Sequence, residues 1–271
     1  MVIVGGSNQP VIDAVKERTR SIADSLRELG DDELGRPSGL PEWSRLTIAC
    51  HLRFGAEALH RMTSSALQGL PVAYYPEGRE QQRPQTVAPR PGESPQEVVE
   101  SLAHLSEELN RQWSALDPAA WGVEVVEPPD NPDLGLVPLR SLPLLRLTEV
   151  EVHGTDLAVN LADWSTTFIS EVLPMRLEWL NFRRTNHRAV DTELEGSWLL
   201  VATDGPTYKV SVSGPRVESR SASSNAHARA VITATSRDLL ALLLGRTPQT
   251  PPTVLGDVAF GTSFSRAFPG P

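Results

Sequence analysis

Arg146-Leu147-Thr148-Glu149-Val150-Glu151-Val152-His153-Gly154-Thr155-Asp156-Leu157 is the stretch on which the reading of this chain turns. Glu149 and His153 stand four residues apart, so on a helix their side chains leave the axis only about 40° apart. Leu142 and Leu145 precede them on nearly the same face, and Leu157 continues it. That face is the apolar stripe of a helix expected to run from about Leu139 or Pro143 to Leu161 and to look into a core. A carboxylate there costs free energy unless it is paired or holds a metal. Glu151, about 200° round the axis from Glu149, is expected on the solvent side. Spacing alone also suits a structural Glu–His hydrogen-bonded pair, because E-x-x-x-H is short and arises often by chance.

Outward from this stretch the chain reads as helices. Val11, Ile12, Val15, Ile22, Leu26 and Leu29 recur at three- and four-residue steps, and Gly30 stops the pattern. A second helix is expected from Thr47 to Leu67. A third opens at Ser94-Pro95-Gln96-Glu97, where a capping Ser, a Pro at the first helical position and a reciprocal Glu coincide, and it runs to about Leu116. A fifth is expected over Ser165 to Arg184. Two irregular connections separate them: Pro71 to Ser94, broken by Pro76, Pro84, Pro89 and Pro91, and Asp117 to Pro138. Loops of that length often line a site. Four amphipathic helices with two long connections predict a bundle.

After His187 the texture changes. Trp198 to Ala202, Tyr208 to Val212 and Ala230 to Ala234 read as strands, the first two joined by the turn Asp204-Gly205-Pro206. Ser236 is expected to cap a short helix, Arg237 to Leu244, closed by Gly245. The expected organisation is α+β in two domains, with a helical bundle over residues 1–188 and a small α+β domain over 189–271.

Composition narrows the function. The chain has 271 residues, 39% hydrophobic and 22% charged, with a formal net charge of -9. Such a surface disfavours nucleic acid and anionic lipid as partners. No apolar run approaches the ~20 residues of a membrane span. The opening MVIVGGSNQP lacks the basic flank of a signal peptide. The single cysteine, Cys50, excludes an internal disulfide. A cytoplasmic protein, monomeric or homodimeric, is expected.

His51 completes a candidate metal site. It lies in Ile48-Ala49-Cys50-His51-Leu52, where Ile48, Leu52, Ala56 and Leu59 mark the inner face of the second helix. Facing helices of bundles are where metal sites assemble. Two His and one Glu form a three-ligand set with an open fourth position, suited to zinc or another first-row divalent ion. Asp156, near His153, is a candidate to orient it, or a solvated helix residue. His60, His104, His187 and His227 lack such settings. Cys50 points about 100° away from His51 and has no flanking cation, so it reads as packing.

Several motifs in order carry a resemblance. Leu40-Pro41-Glu42-Trp43-Ser44-Arg45 with Cys50-His51-Leu52, then Tyr75-Pro76-Glu77-Gly78-Arg79, then the Arg146–Leu157 stretch, and last Asp238-Leu239-Leu240-Ala241-Leu242-Leu243-Leu244-Gly245-Arg246 resemble the mycothiol-dependent maleylpyruvate isomerases. Cys50 stands where the family often has Ala, and the Pro-rich central loops differ. The resemblance implies a DinB-like four-helix bundle followed by a small α+β domain. It implies that His51, Glu149 and His153 hold zinc or a related ion, and that Arg246 acts at the site from the second domain. Arg246, Tyr75 and Arg79 are its candidate cofactor-binding residues, and mycothiol is the implied thiol cosubstrate. A thiol entering the open position is deprotonated by the metal. The thiolate then serves S-transfer to a small electrophile or cis–trans isomerisation, maleylpyruvate to fumarylpyruvate being the specific case. A non-catalytic metal- or ligand-binding protein is the alternative from another class. Metal-assisted hydrolysis ranks below both, since no separate general base is visible.

Overall fold

A computed structural model describes residues 8–126, 136–186, 194–214, 216–268 and 270, with the side chains of 181–186 excepted. Two compact units divide it, Met1–Phe168 and Ile169–Pro271. The boundary expected near residue 189 lies outside the described residues, as does His187. The division falls early in the expected fifth helix, which continues into the second unit.

The first unit is helical. Helix α1 (Gln9–Arg27) buries Val11, Ile12, Val15, Ile22 and Leu26, the stripe that the periodicity indicates. A single turn, α2 (Asp31–Leu34), seats Leu34 in the core. Helix α3 (Arg45–Leu67) starts at Ser44, whose side chain accepts from the Thr47 amide. Its buried residues surround the axis for most of its length, because α5 and α6 both pack on it. The connection from Pro71 to Ser94 is not irregular throughout: α4 (Arg79–Thr86) forms within it despite Pro84. Helix α5 (Pro95–Ser114) opens with the full capping box at Ser94 and Glu97. In the second connection, β1 (Glu124–Val126) pairs antiparallel with β2 (Leu136–Pro138). Helix α6 (Leu142–Asp156) then crosses the unit between α1 and α3. Trp113 of α5 is 1% exposed and donates its indole N–H to Thr63 of α3 at 3.1 Å. Burying a ring of that size stabilises by about 3 kcal/mol.

The second unit contains most of α7 (Thr166–Asn186) and a five-stranded sheet. Strands β3 (Gly196–Ala202), β4 (Thr207–Ser213) and β5 (Arg216–Ser221) form an antiparallel meander. Strand β6 (Ala230–Ala234) lies parallel to β3, and β7 (Thr253–Gly256) closes the order β5-β4-β3-β6-β7. Helix α8 (Ser236–Leu243) follows β6, and Thr235 rather than Ser236 caps it, accepting from the Asp238 amide. Two short helices, α9 (Val258–Thr262) and α10 (Phe264–Ala267), bring Phe260 and Phe264 against Trp198, which stacks on Phe260 at 4.2 Å. Strands β5 and β7 escape the sequence reading because they are sheet edges whose side chains are mostly polar or exposed.

Candidate metal centre

His51 comes from α3, and Glu149 and His153 from successive turns of α6. One candidate ligand atom from each lies within 4.8 Å of the other two. His51 Nε2 is 2.8 Å and His153 Nε2 3.5 Å from the same oxygen, Glu149 Oε2. Both histidines are largely buried, whereas the Glu149 side chain keeps 36% exposure. The cluster therefore has one open side, which is what a ligand set with a free position requires.

His153 is oriented from behind. Asp156 Oδ2 lies 3.0 Å from its Nδ1, which fixes the ring with Nε2 facing the cluster. His51 has no such support: its Nδ1 is buried and without a hydrogen-bond partner. Burial works against charge on His153, but the bonds to Asp156 and Glu149 prevail and raise its pKa to about 9. For His51 burial wins and the pKa falls. Burial by itself would raise the Glu149 carboxyl; the His153 and His51 contacts overcome it and hold the group well below the usual carboxylate range. An ionised carboxylate flanked by two ring nitrogens is the donor set that a first-row divalent ion prefers.

Trp43 forms a wall of the site. Its ring meets His51 edge-on at 5.4 Å and stacks with His153 at 6.0 Å. The loop that carries it is sewn to the end of α6. The Gly39 amide donates to the Asp156 carbonyl, and Arg45 donates to the Leu157 carbonyl at 3.1 Å. The last carbonyls of α6, which lack helical partners, are thereby satisfied. A side chain at position 39 would press on Asp156, its Cβ only 3.1 Å from the carbonyl oxygen.

Beneath the cluster lies Arg146, 1% exposed. It donates to the Leu52 carbonyl at 2.9 Å and to Ser106 Oγ at 3.3 Å. Burial lowers its pKa to about 10. A Cβ at Gly55 would sit 2.9 Å from its Nη1, so this guanidinium occupies room that Gly55 leaves.

Glu151 departs from expectation. It is 1% exposed, not on the solvent side. The Arg18 guanidinium of α1 pairs with it at 3.2 Å and also donates to the Leu161 carbonyl. Gly154 explains itself here, since a Cβ would stand 2.8 Å from Arg18 Nε. The cause is that α1 covers the side of α6 turned away from α3, so no face of α6 is left as a solvated stripe.

The other candidates divide. Cys50 is fully buried, and burial raises its thiol pKa to about 11, as befits packing rather than nucleophilic attack. Tyr75 is buried and stacks on Phe54 at 5.3 Å. Arg79 is exposed at the start of α4. Arg246, half-buried, follows the left-handed Gly245 that ends α8. Its amide donates to the Ala241 carbonyl, and buried Asp238 pins the segment beyond it through the Gln249 and Thr250 amides. Sequence reasoning missed Arg83, one turn past Arg79. Its guanidinium lies 5.8 Å from the Trp43 ring centre, and its charge is felt at His51 and Tyr74. The signal was hidden because the surrounding segment, with its prolines, reads as a loop.

These features define a two-domain α+β protein whose helical domain carries a His–Glu–His cluster fit for a metal ion. A sequence model of the mycothiol maleylpyruvate isomerase N-terminal domain matches residues 15–158, over half of the chain, and the protein belongs to that family. Among solved structures, a mycothiol-dependent maleylpyruvate isomerase shares the fold with a TM-score of 0.66 at 17% identity, over 92% of this chain and 93% of that one. A histidine-to-alanine mutant of a mycothiol-dependent maleylpyruvate isomerase aligns with the same TM-score and coverage at 18% identity. No curated protein sequence matches. Among the described residues, no helix is long and apolar enough to cross a membrane.

Proposed function

We propose that this chain is a cytoplasmic metalloenzyme that activates a low-molecular-weight thiol, mycothiol, for S-transfer to a small electrophile or for its cis–trans isomerisation. The observation that carries the reading is the convergence of His51, Glu149 and His153 on one open-sided point, with Asp156 behind His153. Zinc or a related divalent ion bound there would supply Lewis acidity, lowering the pKa of a thiol at the open position. The chain's own residues do the rest. Glu149 would offset part of the ion's charge, Asp156 keeps His153 Nε2 facing inward, and Trp43 shields one side from water. Arg83, beside Trp43, is placed to attract an anionic part of thiol or substrate. Arg246 is the second-domain cation that we assign to the substrate carboxylate or to an oxygen gaining charge, with Tyr75 and Arg79 retained as candidates for holding the thiol. For an isomerisation, the thiolate sulfur adds to a conjugated cis double bond, the resulting single bond rotates, and elimination returns the thiolate. Maleylpyruvate fits this scheme, and the family supports it as the specific substrate.

The test is metal analysis and thiol-dependent turnover of the wild type beside His51→Ala, Glu149→Ala and His153→Ala. Stoichiometric metal in the wild type and its loss in all three variants are expected; retention in the variants sinks the site. Arg246→Ala should keep the metal and lose most turnover. A wild type that binds zinc but neither binds nor consumes mycothiol with any electrophile would leave a metal-binding protein and end the enzyme reading.

A further inference from the structure

A groove between α1 and α5, with a cavity volume of about 450 Å³, shares no residue with the metal centre. Its lining recurs at helical steps: Lys16, Thr19 and Arg20 on α1, and Ser106, Asn110 and Arg111 on α5. Ala23 and Ala103 leave it open by their small size. That volume falls within the range of small-molecule sites.

The floor is polar where a helix–helix seam is ordinarily apolar. Thr19 is 4% exposed and Asn110 5%, and Thr19 Oγ1 and Asn110 Oδ1 are buried with no hydrogen-bond partner. Unpaired buried polar atoms cost stability, and apolar residues of the same shape would avoid that cost. Their presence points to a partner that arrives from outside. Asn110 Oδ1 is an acceptor and calls for a donor such as a ligand hydroxyl.

The rim is cationic. Lys16, Arg20 and Arg111 make no ion pair among the described residues, whereas Arg27, also at the groove, is held by Glu100 and Asp24. Glu107 is the acid of the lining. On a chain of net charge -9, this excess of positive charge is local. Among the described residues no aromatic ring lines the groove, which leaves nothing for a nucleobase to stack on.

We infer that this groove binds a hydroxyl-bearing phosphate monoester of the sugar-phosphate class, its phosphate on Lys16, Arg20 and Arg111 and its hydroxyls on Thr19, Ser106 and Asn110. The probes are glucose 6-phosphate, inorganic phosphate and glucose, titrated calorimetrically into the full-length protein. Glucose 6-phosphate should bind more tightly than either fragment. Asn110→Leu should weaken it by about tenfold, the worth of one hydrogen bond at a buried site, and Arg20→Gln with Arg111→Gln by at least about as much. Asn110→Leu should also melt no lower than the wild type in the absence of probe, since it removes an unpaired carboxamide. Should that variant fail to fold, Thr19→Val asks the same question of the neighbouring floor atom. Absence of binding at millimolar glucose 6-phosphate overturns the proposal. So does unchanged affinity in the floor and rim variants, or inorganic phosphate binding as tightly as the sugar phosphate.

Discussion

Glu149 and Glu151 stand two residues apart on α6, and each is drawn inward, yet their surroundings differ in kind. Glu149 looks toward α3 and meets two imidazoles, with no Lys or Arg among the contacts that hold its charge. Glu151 looks toward α1 and meets a guanidinium, with two long contacts from the Ser165 amide. Burial raises the Glu151 pKa, its leading influence. The pair teaches what separates a site from a strut. A guanidinium stays charged and fills its own place. Two imidazoles offer lone pairs that a metal can take instead, and so leave the carboxylate available.

The largest break in this comparison should come from exchanging charge for shape. Glu149→Gln keeps the volume and should abolish stoichiometric metal binding and turnover, whereas Glu151→Gln should keep the metal; elemental analysis after dialysis decides. Next is stability. Glu151→Ala leaves the nearly buried Arg18 without the carboxylate it pairs with, and should cost about 3 kcal/mol in denaturant unfolding, with metal content per folded molecule unchanged. Metal loss in that variant would erase the distinction between the two carboxylates. Asp156→Asn keeps the three candidate ligands but weakens the support of His153, and should lower metal affinity by roughly tenfold to a hundredfold in competition with a chelating dye.

The smallest effect concerns a second guanidinium-held carboxylate. Glu93 lies 2.6 Å from buried Arg53. Burial would raise its pKa, but the Arg53 bond and the Arg90 amide outweigh that and lower it. A depressed folded-state pKa contributes stability that is fully present above the unfolded value of about 4.3 and is lost as pH falls through the folded one. Glu93→Gln should therefore cost about 1.5 kcal/mol at neutral pH and flatten the decline of stability below about pH 4. An acid limb of unchanged slope would show that Arg53 needs no anion.

Much of this was legible in the chain. The capping box at Ser94 and Glu97 gave the start of α5, the four-residue step put Glu149 and His153 on one face, and the apolar setting of His51 turned it inward as their candidate partner. Those signals are local, and local geometry carries them into the fold. Glu151 was misplaced because a single helix stripe cannot reveal a second neighbour: α1 covers the other side of α6. Arg83 was hidden by Pro84, which reads as a loop residue but is tolerated in the short α4. The tether from Gly39 and Arg45 to the end of α6, which sets Trp43 over the histidines, joins segments more than a hundred residues apart and leaves no periodic trace.

Gly55 has no chemistry to offer a thiol, an electrophile or an ion. Its missing side chain is nonetheless the seat of Arg146, which holds the carbonyl of Leu52, the residue after His51. In a saturation screen for activity, substitutions at Gly55 should therefore score beside those of the histidines. Read without coordinates, such a screen would assign a catalytic role to a position whose whole contribution is to stay empty.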